Sequence, residues 1–237
     1  MAEYAALMEN EGRIHIVELK DEVIKHKGLG VLNTVALLSN VDVGEEVLVG
    51  QKYLVRMPTK LPELIAGMAR RAQTISAKDA GSLITRLGIG AGDVVLEAGL
   101  GSGGLSLHLA KVLGNSGHLV TAEPRNEHAE VGLLNLNRAS ECFSEFPKHT
   151  HLEGMVEDVV PDLSFDSIIL DMPVHSPAII ACAPKLVFGG RIACYAPTTS
   201  QLEKCWKSCE ESGLVIEWAG ELMEREWGTA SKGGMRP

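Results

Sequence analysis

From Asp93 onward, short apolar runs alternate with segments of helical spacing, and this alternation constrains the fold more than any other feature of the sequence. Glycines such as Gly114 and Gly213 end the helical segments. Alternation of this kind predicts an α/β fold with a Rossmann-like, doubly wound parallel sheet. The predicted strands are at residues 94–98, 118–123, 151–154, 165–171, 191–196 and 214–220.

The N-terminal part of the sequence has a different pattern and predicts a separate small domain. A helix is predicted to begin after Ser76, because Asp79 completes a variant of the capping box, and to end at Gly88. The sequence predicts a small β-rich domain over residues 1–60 and an α/β domain over residues 61–237. Runs rich in Val, Ile and Leu predict N-terminal strands at residues 13–18, 31–37 and 46–55.

A glycine-rich loop follows the first strand of the α/β part and opens the next helix. Gly99, Gly101 and Gly104 have the G-x-G-x-x-G spacing, which lets the backbone approach a bound nucleotide closely. Glu123 ends the next strand, where an acid accepts hydrogen bonds from ribose hydroxyls. These features predict a cofactor that carries a nucleoside. NAD is one interpretation, and a plain turn between strand and helix is the alternative.

Glu97 favours a different cofactor, S-adenosylmethionine (SAM). This acid lies two residues before the first glycine, where a dinucleotide would bring its negatively charged pyrophosphate. It suits instead a ligand with an ammonium group and a cationic sulfur, as SAM has. The sequence contains no obvious Tyr-x-x-x-Lys or His-acid relay, which also disfavours an NAD-dependent oxidoreductase.

Acidic residues after two later strands are candidates for the rest of the site. Asp171 follows the apolar fourth strand, and ligands of doubly wound sheets bind at that edge. We therefore expect Asp171 beside the cofactor, with an N-cap role for the next helix as the alternative. Glu157 and Asp158 follow the third strand, where an acid can accept from an adenine amino group. A solvated acidic loop is the other interpretation of that pair.

Charge and cysteine content bear on partners and compartment. The net charge of −9 argues at first against nucleic acid, but it arises entirely from residues 93–237. Residues 52–86 are locally basic, with seven Lys and Arg against Glu63 and Asp79. The five cysteines form no Cys-x-x-Cys pair, so we expect reduced thiols, no metal and a cytoplasmic protein. Residues 1–13 lack a signal-peptide pattern and no long apolar run occurs, so no membrane partner is expected.

Several separate blocks of the sequence form one pattern. The blocks are residues 70–80 with Gln73, Lys78 and Asp79, then 95–105, 170–173, 195–201, 225–227 and 236–237. Together they resemble the tRNA (adenine-N1)-methyltransferase family that modifies the T-loop, over residues 50–237 and weakly in the N-terminal strands. The resemblance implies a class I SAM-dependent methyltransferase and a homotetramer. It further implies methylation of N1 of tRNA adenine 58, with position 57 also used in some members.

The same resemblance implies a role for each matching residue. The ribose of SAM is expected at Glu123 and its adenine at Asp158 or Glu157. Gln73 is expected to line the cofactor pocket and Asp171 to face the target base. The loop residues expected around the methionine end of SAM are Glu97, Gly99, Leu100, Gly101, Ser102 and Gly103. The charge split, and not the resemblance, predicts the tRNA contacts, because the acidic residues 93–237 need basic side chains to bind phosphates. The residues expected to contact tRNA are Arg70, Arg71, Lys78, His175 and Arg225, with Lys232 and Arg236 near the chain end.

The sequence departs from the family pattern at three places. Leu100 stands where Thr is usual, and Val174 and His175 follow Asp-x-Pro where an aromatic residue is frequent. The chain ends at Pro237, so we expect either a sheet without the last strand of the family or a truncated sequence. The alternatives left open are a methyltransferase acting on a small molecule or another RNA, an NAD-dependent oxidoreductase, and a non-catalytic subunit.

Overall fold

The computed structural model describes residues 4–229 and 233–236, so Lys232 and Pro237 lie outside the described residues. The helices are α1 (Thr34–Leu38), α2 (Leu61–Ala66), α3 (Ala77–Leu87), α4 (Gly104–Leu113), α5 (Asn126–Cys142), α6 (Val156–Val159), α7 (Ser176–Cys182) and α8 (Thr199–Glu211). The strands are β1 (Tyr4–Glu9), β2 (Ile14–Glu18), β3 (Ile24–His26), β4 (Gly30–Leu32), β5 (Glu46–Val49), β6 (Lys52–Met57), β7 (Val94–Ala98), β8 (His118–Glu123), β9 (Lys148–Glu153), β10 (Phe165–Leu170), β11 (Leu186–Cys194), β12 (Gly228–Thr229) and β13 (Met235–Arg236).

The central sheet has five parallel strands in the order β9-β8-β7-β10-β11. This is the Rossmann order 3-2-1-4-5, in which the chain winds outward in both directions from β7. The predicted α/β class with a doubly wound parallel sheet is confirmed. The winding reverses between β7 and β10, so the cleft at the carboxyl ends of these strands is the expected position of a ligand.

Helices cover both faces of the central sheet. Successive side chains of a strand point to opposite faces, so each strand contributes residues to the core on either side. On one face, Val95 and Leu119 pack in a core with residues of α3, α4 and α5. On the other face, Leu96 and Val120 pack with residues of α6, α7 and α8. Burial on both faces explains why adjacent residues of these strands are apolar, as at Val95 and Leu96 and at Leu119 and Val120.

Helix α3 begins and ends where the sequence predicts. The Ser76 hydroxyl accepts a hydrogen bond from the backbone N–H of Asp79 over 3.3 Å, which satisfies one of the free donors at the helix start. Gly88 ends the helix at a φ of 72°, a left-handed conformation that glycine adopts without strain. The helix is therefore anchored at both ends by local interactions that are readable in the sequence.

The N-terminal strands form an antiparallel sheet in the order β2-β1-β6-β5. Leu7 and Leu54 belong to a core within this sheet region. Tyr4, Ala6 and Ile16 instead join the core that contains α3, α4 and α5. The N-terminal sheet thus packs on the α/β part, while the division into domains at residue 60 stays a prediction.

Two of the predicted N-terminal strands are wrong in part. Within residues 31–37 the strand ends at Leu32, because the Asn33 side chain accepts a hydrogen bond from the Ala36 N–H and begins helix α1. Residues 46–55 contain two strands and not one, because Gly50, at a φ of 63°, turns the chain between β5 and β6.

The strand predicted at residues 214–220 is also wrong. Leu214 and Ile216 are partly buried against the second core, so the alternation that indicates a strand is present. The segment has no strand ladder, however, and a side-chain hydrogen bond of 2.9 Å from Arg191 Nε to Glu217 Oε2 connects it to β11. A strand requires a hydrogen-bonded neighbour as well as alternating burial, and β11 is the edge strand of the sheet within the described residues.

Three further features concern only the described part of the chain. None of its helices is long and apolar enough to cross a membrane. Its His, Cys, Asp and Glu side chains form no group of three or more that could hold a metal ion. All five cysteines are free thiols.

Candidate active site

The loop after β7 meets the end of β10 at the carboxyl edge of the sheet. The Asp171 N–H donates to the Ala98 carbonyl over 2.8 Å, so the chain beyond β10 stays beside the loop. A Cβ on Gly99 would lie 1.9 Å from the Asp171 carbonyl oxygen, and the φ of Gly99 is 94°. Both constraints require glycine, and they bring the glycine-rich loop and Asp171 together at the point where the winding reverses.

Gly99→Ala is expected to lower the free energy of unfolding by about 3 kcal/mol, because it combines an unfavourable positive φ with a backbone clash. Urea unfolding checks this value. Gly90→Ala is the matched control, since Gly90 has no positive φ and no atom within 4 Å of its built Cβ. An equal loss in both variants would contradict the close approach to Asp171.

The remainder of the loop is a tight turn followed by helix α4. Gly101 and Gly103 have φ values of 52° and 78°. Leu100 is 2% exposed and contacts Gly132 of α5 so closely that a Cβ on Gly132 would lie 2.6 Å from the Leu100 Cγ. The Leu100 side chain therefore belongs to the core. Its backbone also has partners within the protein, since the Leu100 N–H donates to the Ala122 carbonyl over 3.2 Å and the Leu100 carbonyl accepts from the Gly103 N–H over 2.7 Å.

Glu123 lies at the end of β8, with its side chain fully buried beside the loop. Its Oε2 accepts from the Gly101 N–H over 3.0 Å, and both carboxylate oxygens accept from the Arg125 guanidinium. Burial opposes ionisation, but the hydrogen bonds from Arg125 and Gly101 outweigh it and hold the pKa of Glu123 below its ordinary value. Glu123 is thus an ionised acceptor at neutral pH.

Glu97, on β7, is 2% exposed and differs from Glu123 in its charge. Burial raises the pKa of Glu97 to about 8; a hydrogen bond from Ser106 opposes the shift, and the nearby Asp171 carboxylate adds to it. Ser106 Oγ lies 2.5 Å from Glu97 Oε2. Glu97 is therefore largely protonated at neutral pH in this arrangement, whereas the sequence interpretation treats it as a carboxylate that suits a cationic ligand.

Asp171 follows β10 and is partly exposed. Burial and the Glu123 carboxylate raise the pKa of Asp171 to about 6, and Arg125 partly offsets this rise. Three carboxyl groups thus lie at the ends of adjacent strands, and their environments separate their pKa values. This arrangement can accept hydrogen bonds from hydroxyl or amino groups of a ligand, with Asp171 ionised above about pH 6.

A hydrogen-bonded clamp, which the sequence analysis missed, holds residues 69–72 against the loop. The Ser102 Oγ accepts from the N–H groups of Arg71 and Ala72, each over 3.0 Å. The Asn135 amide of α5 accepts from the Ala69 N–H and donates to the carbonyls of Ala69 and Ser102, over 3.1, 2.8 and 2.9 Å. Both side chains are buried, so they build the site and expose no surface to a ligand.

Asn135→Ala is expected to lower the free energy of unfolding by about 3 kcal/mol, because it leaves buried backbone groups of Ala69 and Ser102 without partners. Chemical unfolding measures the loss. Asn137→Ala, on the same helix, is the control. A loss in Asn135→Ala no larger than in the control would show that water replaces the clamp.

The acids expected at the adenine differ in burial. Glu157 lies on α6 with Oε2 buried and without a hydrogen-bond partner among the described residues. Asp158 is exposed. A buried acceptor without a partner is costly, so the Glu157 Oε2 has capacity for a further hydrogen bond, whereas the Asp158 carboxylate is accessible to water.

His175, expected at the tRNA, is buried in the structure, with only 3% of its surface exposed. Burial lowers its pKa, so the ring is neutral, and the backbone at Tyr195 and Leu170 provides hydrogen bonds. Its Nε2 is buried without a partner in the described part of the chain. The ring is therefore not available in this conformation to stack on a base from the surface.

The other residues expected at the tRNA differ in accessibility. Arg70, Arg71 and Arg225 are exposed. Gln73, which was expected to line the cofactor pocket, is also exposed and lies between the residues held by the clamp and α3. Lys78 is partly buried, and its Nζ donates to the Leu222 carbonyl over 2.6 Å and pairs with Asp79 over 3.2 Å. Lys78 thus connects α3 to the C-terminal segment. The side chains of Arg70 and Arg71 are exposed to solvent beside the loop. Arg236 is also exposed.

Comparisons with known proteins agree with this geometry. The family model "tRNA methyltransferase complex GCD14 subunit" matches residues 52–232. A tRNA (adenine(57)-N(1)/adenine(58)-N(1))-methyltransferase of Methanocaldococcus jannaschii is 28% identical, covering 100% of this chain and 90% of that protein. A tRNA (adenine(58)-N(1))-methyltransferase of Thermus thermophilus is 29% identical, covering 93% of this chain and 86% of the relative.

A solved structure gives the same fold. It is a SAM-dependent O-methyltransferase from Thermotoga maritima, which superposes with a TM-score of 0.77 at 24% identity and covers 100% of this chain and 87% of its own. The likeness shows the methyltransferase fold of the Rossmann type.

Because the family match spans more than half of the residues, the chain belongs to the tRNA methyltransferase complex GCD14 subunit family.

Proposed function

We propose that this protein transfers the methyl group of SAM to N1 of adenine 58 in the T-loop of tRNA. The observation that carries the proposal is the contact between the glycine-rich loop and Asp171 at the reversal of the winding. The relatives from M. jannaschii and T. thermophilus are named for this reaction, the former at positions 57 and 58. Methylation at position 57 is therefore a second product to look for.

The acceptors of the site fit SAM. Glu123 supplies an ionised carboxylate suited to the ribose hydroxyls, and the unpartnered Glu157 Oε2 suits the adenine amino group. Gly99, Gly101 and Gly103 all have positive φ, so the loop turns tightly at the carboxyl edge of the sheet, where the methionine end of SAM is proposed to lie. When bound, SAM supplies an electrophilic methyl group on a cationic sulfur. Its positive charge favours the ionised form of Glu97 and lowers the cost of that buried carboxylate.

Methyl transfer requires no covalent enzyme intermediate, so the residues of this chain act by positioning and by charge. The adenine leaves the tRNA stack to enter the cleft. The ionised Asp171 accepts a hydrogen bond from the adenine N6 amino group and stabilises the positive charge that grows on the ring as N1 is methylated. The 69–72 clamp keeps Gln73 and the basic pair Arg70 and Arg71 beside the loop.

The proposal includes the assembly and the location. We propose a homotetramer in the cytoplasm, with tRNA as the macromolecular substrate, as the family resemblance implies. The basic surface of Arg70 and Arg71 supports the tRNA part of this proposal, since phosphate contacts dominate nucleic-acid affinity. Arg225 and Arg236 are exposed and add to the candidate contacts.

Incubation of a tRNA transcript with methyl-labelled SAM, followed by mapping of the modified base, tests the function. We expect label at adenine 58 and loss of that label when the transcript carries guanine at this position. SAM binding without label in tRNA would reject tRNA as the substrate. Calorimetric titration with NAD is the companion control, and binding of NAD but not SAM would overturn the cofactor assignment.

A further inference from the structure

The guanidinium of Arg125 covers the carboxylate of Glu123. Its Nε donates to Glu123 Oε1 over 2.7 Å, and a terminal nitrogen donates to Oε2 over 3.1 Å. The Arg125 backbone N–H adds a contact of 3.2 Å to Oε1, and the Gly101 N–H one of 3.0 Å to Oε2. Each carboxylate oxygen thus accepts two hydrogen bonds, and four is about the number of acceptor sites that a carboxylate has.

The cover lies on the solvent side of the carboxylate. The Glu123 side chain has no exposed surface, whereas that of Arg125 is 52% exposed. Gly101 contacts the carboxylate from the loop, so its N–H can stay in place when a ligand binds. A ligand hydroxyl that donates to Glu123 must therefore replace a guanidinium N–H.

The Arg125 guanidinium donates its side-chain hydrogen bonds to Glu123. Beyond Glu123, the charges acting on its guanidinium are those of Glu127 and Asp171. The side chain follows Glu123 by two residues, on a short turn before α5, so it can swing outward without unfolding of the helix. Since about half of the Arg125 side chain contacts water, solvent screens its ion pair and the cost of breaking the pair is small.

We propose that Arg125 acts as an internal competitor of the cofactor ribose, occupying Glu123 until a pair of ribose hydroxyls displaces it. This inference rests on the proposed function, because it assumes an adenosine ligand. Arg125 is then a specificity-determining residue. A vicinal diol can replace both guanidinium contacts, whereas a 2′-deoxyribose replaces one and leaves the other N–H without an equivalent. The site thereby favours ribonucleosides, because the ligand must break both guanidinium hydrogen bonds to Glu123 and only a vicinal diol replaces both of them.

Calorimetric titration with S-adenosylhomocysteine, at pH 8 so that Glu123 stays ionised without its partner, tests the proposal. We expect Arg125→Ala to bind about fivefold more tightly than the wild-type protein, because removal of a half-exposed competitor leaves the acceptor free. Arg191→Ala is the control, since Arg191 makes a comparable half-exposed ion pair with Glu217 far along the sheet. Its affinity is expected to match the wild-type value.

The opposite result overturns the inference. Equal or weaker binding by Arg125→Ala would show that the guanidinium does not compete with the ligand. Thermal unfolding confirms that the variant is folded; if it is not, Arg125→Lys, which loses the two-pronged geometry but keeps the charge, is expected to bind about twofold more tightly. Absence of binding to the wild-type protein would instead reject the proposed cofactor, so the two failures are distinct.

Discussion

Asp171→Ala is expected to lower the rate of methyl transfer to tRNA by about 100- to 1000-fold, while S-adenosylhomocysteine still binds within about threefold of the wild-type affinity. The carboxylate accepts from the reacting base, so its loss removes an interaction that strengthens in the transition state. Glu97, Glu123 and the glycine-rich loop remain in place for the cofactor. Single-turnover methylation of a tRNA transcript measures the rate, and calorimetry measures the binding.

The pH dependence supplies a second readout for Asp171. Its pKa is raised to about 6, so protonation below that pH removes the acceptor and lowers the rate at saturating SAM about tenfold for each further pH unit. Above about pH 7 the Asp171 carboxylate is ionised, and the rate at saturating SAM, which favours the ionised form of Glu97, reaches a plateau. Asp171→Asn is expected to lose this dependence and to show a low, level profile over the same range.

A matched acid controls for charge alone. Asp162→Ala removes an exposed carboxylate that pairs with Lys185 over 2.8 Å, and we expect wild-type activity from it. Wild-type turnover by Asp171→Ala would reject the role of this carboxylate, and a comparable loss of cofactor affinity would assign it to cofactor binding instead.

The architecture of the α/β part could be predicted because its signals are local. Strand β7 is a largely apolar run followed by Gly99, and Ser76 and Gly88 bound α3 where the sequence indicates. The N-terminal strand β1 was missed, because its Ala-rich residues carry a weak strand signal and its partners β2 and β6 are chosen by long-range pairing. The wrong prediction of a strand at residues 214–220 has the same cause, because strand pairing is a long-range interaction. The burial of this segment alternates, but the segment has no partner strand.

The residues of the site also differ in whether their positions follow from local sequence signals or from contacts between residues distant in the sequence. The loop glycines, Glu123 and Asp171 follow strand ends, so their approach to one edge follows from the parallel topology. The contact of Asn135 with Ala69 joins residues 66 positions apart and has no sequence signature. The neutral state of Glu97 depends on burial, which a motif does not report. The pairing of Arg125 with Glu123 is the one such contact that the sequence could indicate, because the two residues are only two positions apart.

Reversal of the basic pair, Arg70→Glu with Arg71→Glu, is expected to weaken tRNA binding at least about a hundredfold at moderate salt, since two attractions to phosphate become two repulsions. The two side chains are exposed and their own contacts are long, 3.4 Å from Arg70 to the Ile65 carbonyl and 4.0 Å from Arg71 to Glu127. The backbone of the segment is held by Ser102, which the variant keeps. The variant should therefore fold and bind S-adenosylhomocysteine as the wild-type protein does.

Filter binding over a range of salt concentrations measures the effect. If both arginines contact phosphates, the slope of log affinity against log salt should fall by roughly 1.5. Lys204→Glu with Lys207→Glu, an equal reversal on the exposed side of α8, is the control and is expected to change affinity less than about threefold. Equal losses in the two variants would mean that net charge alone governs binding. An unchanged affinity in the arginine variant would move the tRNA surface away from the loop, to the exposed Arg225 and Arg236 of the C-terminal segment.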